Sequence, residues 1–214
     1  MAPDVPPPRR AEAVLLLHGL WMNRFAMHYL VHALGRAGFR AAAMGYRSAA
    51  ETLDQHVARL ARCIATADAD RVHLAGHSYG GLVILRYLQA SPDARVRRAV
   101  LFGAPVSGCE MAERLGKKAA FLLGGSVSAW RPPFDTSLAP HLEVGAIAGT
   151  RPFGLGRLLM RLPDPSDGVV CLDETRLPGM RDHLMLPVSH SAMLISPQVA
   201  RQAAAFLRDG RFAR

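Results

Sequence analysis

The chain has 214 residues, 50% hydrophobic and 20% charged, a length and composition that suit one globular domain and exclude a disordered chain. A chain of this size buries about 70% of the surface its unfolded form exposes, so it needs neither disulfide nor metal to hold a core. Its 26 Lys and Arg against 17 Asp and Glu give a net charge of +9, which raises nucleic acid or an anionic membrane as partners.

Residues 1–11 carry Pro3, Pro6, Pro7 and Pro8, then Arg9 and Arg10, and read as a flexible arm ahead of a single domain over 12–214. Residues 13–17, apolar at every position, suit a strand buried on both faces of a parallel sheet. The pattern then alternates. Helical spacing runs over 25–37 and 51–67, with a strand between them at 39–46. Strand 71–75, helix 80–90, strand 97–102 and helix 110–123 follow. Strands at 142–148 and 183–188 and a closing helix at 197–207 complete the series. Segments 124–140 and 149–181, rich in Gly, Pro, Ser and Asp, read as loops. This alternation predicts an α/β fold: three layers, α/β/α, around a mostly parallel sheet of about six strands with right-handed crossovers.

The sharpest motif is Gly76-His77-Ser78-Tyr79-Gly80-Gly81. It follows a strand and opens a helix. A turn this tight strains its middle residue and pushes the Ser78 hydroxyl out at the sheet edge, and only small residues fit two positions either side, as Gly76 and Gly80 do. The helix start brings backbone N–H groups and a positive dipole end beside that hydroxyl. His18-Gly19-Leu20-Trp21-Met22-Asn23 directly follows the first strand. There the Leu20 N–H, with that of Tyr79, suits an oxyanion hole. Trp21 and Met22 either line the substrate pocket or simply pack.

A serine nucleophile needs a base, and the base an orienting acid. Of nine histidines, His190 lies in the loop between the last strand and the last helix, where a base reaches over the sheet edge. His183 starts that strand, at the wrong end. His77 is expected to support the turn, and His28, His32, His56 and His73 to be structural. His18 belongs to the oxyanion loop and His141 to a loop before a strand. For the acid, Asp167-Gly168 is a turn leading into an apolar run, which fixes a carboxylate at a loop tip. Asp164 and Asp173 remain alternatives, and Asp135 precedes the strand.

Taken together, His18-Gly19-Leu20, Gly76 to Gly81, Ser166 to Val170 and Ser189-His190 resemble the α/β-hydrolase superfamily, in particular its small lipase- and esterase-like members, over roughly residues 12–209. The resemblance implies Ser78 as nucleophile, His190 as base and then acid, and Asp167 as orienter. It also implies the Leu20 and Tyr79 amides as oxyanion hole, and an acyl-enzyme released by water. The substrate class is a small-molecule ester, including lipid or thioester, with no metal and no cofactor. Only about 12 residues precede the first strand and 103–141 holds one helix, so the resemblance implies a minimal version of the fold, with about six strands and little or no cap. An acyltransferase or a non-catalytic binding module on the same fold are the alternatives.

The cysteines Cys63, Cys109 and Cys171 form neither a disulfide framework nor a zinc spacing. With no apolar leader core, they predict a soluble, cytoplasmic protein. The basic groups Arg95, Arg97, Arg98 and Arg114, Lys117, Lys118 fit no nucleic-acid motif. No nucleic acid is therefore expected, and transient contact with an anionic membrane surface stays open.

Overall fold

The computed structural model describes residues 12–90, 92–110, 138–153, 163 and 165–214. Six strands form one parallel sheet: β1 (Ala13–Leu17), β2 (Arg40–Met44), β3 (Val72–His77), β4 (Val96–Phe102), β5 (Glu143–Gly149) and β6 (Asp182–Leu186), in the order β2-β1-β3-β4-β5-β6. Helices α1 (His28–Arg36) and α4 (Pro197–Asp209) cover one face, and α2 (Leu53–Ala65) and α3 (Tyr79–Gln89) the other.

Strand alternation sorts the core into two layers. Val14 and Leu16 of β1, Ala75 of β3, Val100 and Phe102 of β4 and Ile147 of β5 pack with Leu30, Leu34, Val199, Ala203 and Phe206 of α1 and α4. The intervening Leu17, Leu74, Leu101 and Ala146 pack with Leu60, Ile64, Leu82 and Leu85 of α2 and α3. Each fully buried leucine or isoleucine contributes about 1.5–3 kcal/mol. Among the described residues no helix is long and apolar enough to cross a membrane.

Several boundaries differ from the sequence reading, each for a local reason. The first helix is preceded by a separate 3-10 turn, Arg24–Met27, where the Asn23 side chain accepts the Phe25 N–H. α2 starts at Leu53 because Thr52 and Gln55 form a reciprocal capping box. β2 stops at Met44, before Gly45. β6 stops at Leu186, because Pro187 lacks an N–H and the Val188 N–H turns back onto the Leu186 carbonyl at 2.8 Å. The segment 149–181 contains a short 3-10 turn, Asp173–Thr175, and a bridge between Ser166 and Cys171. The arm 1–11, and the 110–123 helix beyond Glu110, lie outside the described residues.

α4 carries clear start and stop signals: Ser196 caps the Val199 N–H, Pro197 opens the first turn, and Gly210 at φ 70° ends it. It lies so close to β5 that a Cβ on Gly145 would stand 2.5 Å from Phe206 Cε2, in a fully buried ring. Gly145→Ala should therefore destabilise the fold by about 1–3 kcal/mol through overpacking, read as a lower urea midpoint; an unchanged midpoint would refute this packing.

Candidate active site

The sheet reverses its order between β1 and β3: the chain leaves β1 toward β2 and then returns past it to β3 and onward. Open α/β sheets bind ligands at such a switch point, outside the carboxyl ends of the strands. Here β1 ends in His18-Gly19-Leu20, and β3 ends in Ser78.

Ser78 adopts φ 53°, ψ −121° and is 7% exposed. For a non-glycine residue this conformation costs on the order of 1–3 kcal/mol. Two backbone bonds hold it: Ser78 N–H to the Phe102 carbonyl and Gly81 N–H to the Ser78 carbonyl, both 2.9 Å. A Cβ on Gly76 would sit 2.7 Å from Gly80 C and Gly81 N, and one on Gly80 would sit 2.5 Å from the Leu17 carbonyl oxygen. The two glycines are sterically required. Tyr79 is the first residue of α3, so its N–H belongs to the helix N-terminus.

Asp167 is 1% exposed and His190 6%. Asp167 Oδ2 lies 2.7 Å from His190 Nδ1. Its Oδ1 accepts the Val169 and Val170 N–H groups at 2.9 and 2.8 Å, and its carbonyl accepts the His190 N–H at 3.0 Å. The Asp-Gly turn thus fixes both carboxylate oxygens, and a carboxylate facing Nδ1 favours the tautomer with its proton there, which leaves Nε2 as the basic nitrogen. Ser78 follows His77, whose ring lies 4.6 Å from that of His190, so both residues stand at the carboxyl edge of the sheet. No hydrogen bond joins Ser78 Oγ to His190 among the described residues; such bonds are often loose until a ligand is bound.

Leu20 is half-buried against the core. Met22 packs under Gly19, whose added Cβ would lie 3.4 Å from Met22 Sδ and from Ser78 Cβ. Trp21 is 65% exposed at φ 56°. Asp173 has a 97% exposed side chain that faces Arg176 at 3.9 Å. Asp164 lies outside the described residues. His183 Nε2 pairs with Thr175 Oγ1 at 2.8 Å. His77 does more than support the turn: its Nε2 donates to the His190 carbonyl at 3.0 Å, and the two rings are 4.6 Å apart.

Sequence reasoning missed three residues here. A Cβ on Gly103, at φ 53°, would lie 2.8 Å from Asp167 Oδ2 and 3.1 Å from His190 Nδ1. One on Gly149 would lie 2.7 Å from Asp167 Cβ. A glycine closing a buried strand was the available signal. The third is Glu174, whose carboxylate accepts the Cys171 N–H at 2.7 Å and the Glu110 N–H, tying the Asp167 loop to the segment after β4. Burial and the neighbouring Glu174 and Glu110 carboxylates push the Cys171 thiol up to about 12, so it is no nucleophile. Among the described residues no cluster of three or more His, Cys, Asp or Glu is arranged to hold a metal ion.

Comparison with known proteins adds to this geometry. A family model described as the alpha/beta hydrolase family matches residues 14–212. The mature form of the lipase BlEst2 of Bacillus licheniformis superposes with a TM-score of 0.74 at 18% identity, over 96% of this chain and 94% of that one. A metagenomic carboxyl esterase gives 0.70 at 16% identity, over 88% and 68%. Polyneuridine aldehyde esterase gives 0.65 at 14% identity, over 94% and 100%. At these identities the likeness is one of fold. No curated protein sequence matches the chain.

The buried histidines set a pH dependence. Desolvation holds His77 down to about 3, with the neighbouring His190 adding to it. Burial also lowers His18, His56, His73 and His183. Histidines that stay neutral in the fold take up protons on unfolding, so stability rises with pH and is lost as acid is added. For His77 the window runs from its ordinary 6.5 down to about 3. Glu174, raised by burial, acts in the opposite sense. The urea midpoint should fall between about pH 7 and about pH 4, and His77→Gln should flatten that fall; parallel curves for the two proteins would contradict the assignment.

Proposed function

Because the chain belongs to the alpha/beta hydrolase family, we propose that it hydrolyses carboxylic esters, with Ser78 as nucleophile, His190 as general base and acid, and Asp167 as the orienting carboxylate. The observation that carries this reading is the buried 2.7 Å Asp167–His190 pair at the sheet edge where Ser78 is held at φ 53°. The fold neighbours include a lipase, a carboxyl esterase and polyneuridine aldehyde esterase, which supports esters as the substrate class.

In this mechanism Ser78 Oγ attacks the ester carbonyl carbon while His190 Nε2 takes the hydroxyl proton. Asp167 holds the Nδ1–H, so it stabilises the imidazolium that forms without being protonated itself. The carbonyl oxygen becomes an oxyanion, which the Leu20 and Tyr79 N–H groups stabilise, each worth about 3 kcal/mol. Collapse breaks the bond to the alcohol oxygen, and His190 Nε2–H protonates the leaving group. Water, deprotonated by His190, then attacks the acyl-Ser78 ester, and the same steps in reverse free Ser78 and release the acid. Trp21, beside Leu20 and largely exposed, and Met22 form the nearby rim for the acyl or alcohol group. No step calls for a metal or cofactor.

Ser78→Ala should lower hydrolysis of a short p-nitrophenyl ester by at least about 10^4-fold and abolish labelling by a fluorophosphonate, with the fold intact by circular dichroism. Asp167→Asn should cost about 10^4-fold, whereas Asp173→Asn should have no effect. Turnover that survives Ser78→Ala would overturn the reading.

A further inference from the structure

The connection from β2 into α2 carries buried polar side chains that this chemistry does not use. Tyr46 donates its O–H to the His18 carbonyl, and its ring stacks on the His18 imidazole at 4.1 Å and 14°. Ser48, 3% exposed, accepts the Trp21 N–H at 3.0 Å. These contacts grip the loop after β1 on both sides of Leu20. Trp21 sits at φ 56°, a conformation that a bulky residue keeps only where its surroundings over-determine it.

The helix that follows reaches the side chain of the residue that carries the other donor. His56 of α2 is fully buried, and its Nδ1 lies 2.8 Å from the Tyr79 hydroxyl. Burial lowers the His56 imidazole and raises the Tyr79 phenol. Both are then neutral, and the Glu51 carboxylate beside Nε2 favours the tautomer with its proton there, in which Nδ1 accepts the Tyr79 O–H. Nε2 faces Glu51 Oε2 at 3.3 Å, close to the carboxylate but not aligned as a hydrogen bond. Glu51 is held in turn by Arg59 at 3.0 Å and by the Arg47 N–H at 3.4 Å. The Tyr46 ring lies 4.7 Å from His56 and 6.4 Å from Tyr79, which joins the two grips into one cluster.

Burying imidazole and phenol groups is costly, and apolar side chains would fill the same space. What an apolar cluster would not supply is direction. A hydrogen bond fixes the atom it holds along one line, and oxyanion donors must lie about 2.7–3.1 Å from an oxygen that exists only in the transition state. We propose that Tyr46, Ser48 and His56, backed by Glu51, form a positioning platform that sets the Leu20 and Tyr79 N–H donors together, Leu20 through Tyr46 and Ser48 and Tyr79 through His56. The proposal rests on the reading of Ser78 as an ester nucleophile.

The test uses the full chain and two variants that each remove one hydroxyl, Tyr79→Phe and Ser48→Ala. Rates are taken per active site titrated with a fluorophosphonate, on a p-nitrophenyl ester. Each variant should lower kcat about tenfold and leave KM within about twofold, the pattern of an interaction made only in the transition state. Each should also raise the inhibition constant of a trifluoromethyl ketone, whose adduct with Ser78 carries the oxyanion, by the factor lost in kcat/KM. His56→Gln, with an amide able to accept the Tyr79 O–H, should retain more activity than His56→Leu. Unchanged titrated kcat and ketone affinity in both hydroxyl variants would overturn the platform, whatever happens to Tm. Wild-type protein that takes up no fluorophosphonate would overturn the esterase reading itself, and this proposal with it.

Discussion

α3 begins so close to the carboxyl end of β1 that a Cβ on Gly80 would stand 2.5 Å from the Leu17 carbonyl oxygen and 2.7 Å from that of His18. A Cβ on Gly81 would stand 2.5 Å from Ala104 Cβ, beyond β4. The helix N-terminus is thus wedged between the ends of two strands, and the chain has one residue, Ser78, in which to turn from β3 into it. That accounts for the left-handed φ at Ser78. It also sets the Tyr79 N–H beside the loop after β1, with the positive end of the helix dipole pointing out of the sheet edge. Asp167 and His190 are then built against the other side of the same edge, over Gly103, where no side chain fits.

The features legible in the sequence are those with a local or periodic signature. Residues 13–17 are apolar throughout because β1 is paired on both edges and covered on both faces. The Gly76 to Gly81 spacing reports a steric limit that acts within a few residues of itself. The turn at Asp167 is readable because Asp-Gly is turn chemistry, and the placement of His190 because it lies between the last strand and the last helix. The Tyr46–His18, Ser48–Trp21 and His56–Tyr79 contacts have no such signature. They span 28, 27 and 23 residues and exist only because β1 lies between β2 and β3 in the sheet. Sequence alone leaves His56 as one more structural histidine on a helix. The capping box at Thr52 is readable in principle, but a helix taken to start at Glu51 places Thr52 inside it.

The basic charge finds part of its explanation in the polarity of the fold. In a parallel α/β sheet, helix N-termini gather at the carboxyl edge of the strands and C-termini at the amino edge, which therefore collects unsatisfied carbonyls. Arginines meet them there. Arg95 donates to the Ile64, Ala67 and Ala69 carbonyls at the end of α2 at 2.8, 2.9 and 3.3 Å. Arg98 reaches the Leu207 and Arg208 carbonyls near the end of α4 at 3.1 and 2.7 Å, and Arg208 the Ala37 carbonyl after α1 at 2.9 Å. Asp93 and Glu143 hold the guanidinium groups of Arg95 and Arg98 in place. These arginines serve helix ends on the side of the sheet opposite Ser78, so they say little about a charged partner.

Three buried histidines surround the site, and each ties a different segment of it. His18 bonds the Gly19 carbonyl within the β1 loop at 2.9 Å, His77 carries the His190 backbone, and His56 meets the Tyr79 side chain. A neutral imidazole offers one donor and one acceptor on a rigid ring, so it orients its partner more sharply than an apolar side chain of similar volume. The arrangement is incomplete: His18 Nε2 and His77 Nδ1 are buried without a hydrogen-bond partner among the described residues, while His56 Nε2 has only the Glu51 carboxylate at 3.3 Å. Each such nitrogen costs about 1–3 kcal/mol, a loss that the apolar layers on both faces of the sheet must offset. A fold that only had to be stable would fill these positions with leucine. Their presence around Ser78, together with the strained φ angles at Ser78 and Trp21, marks this edge as the place where stability has been given up for fixed geometry.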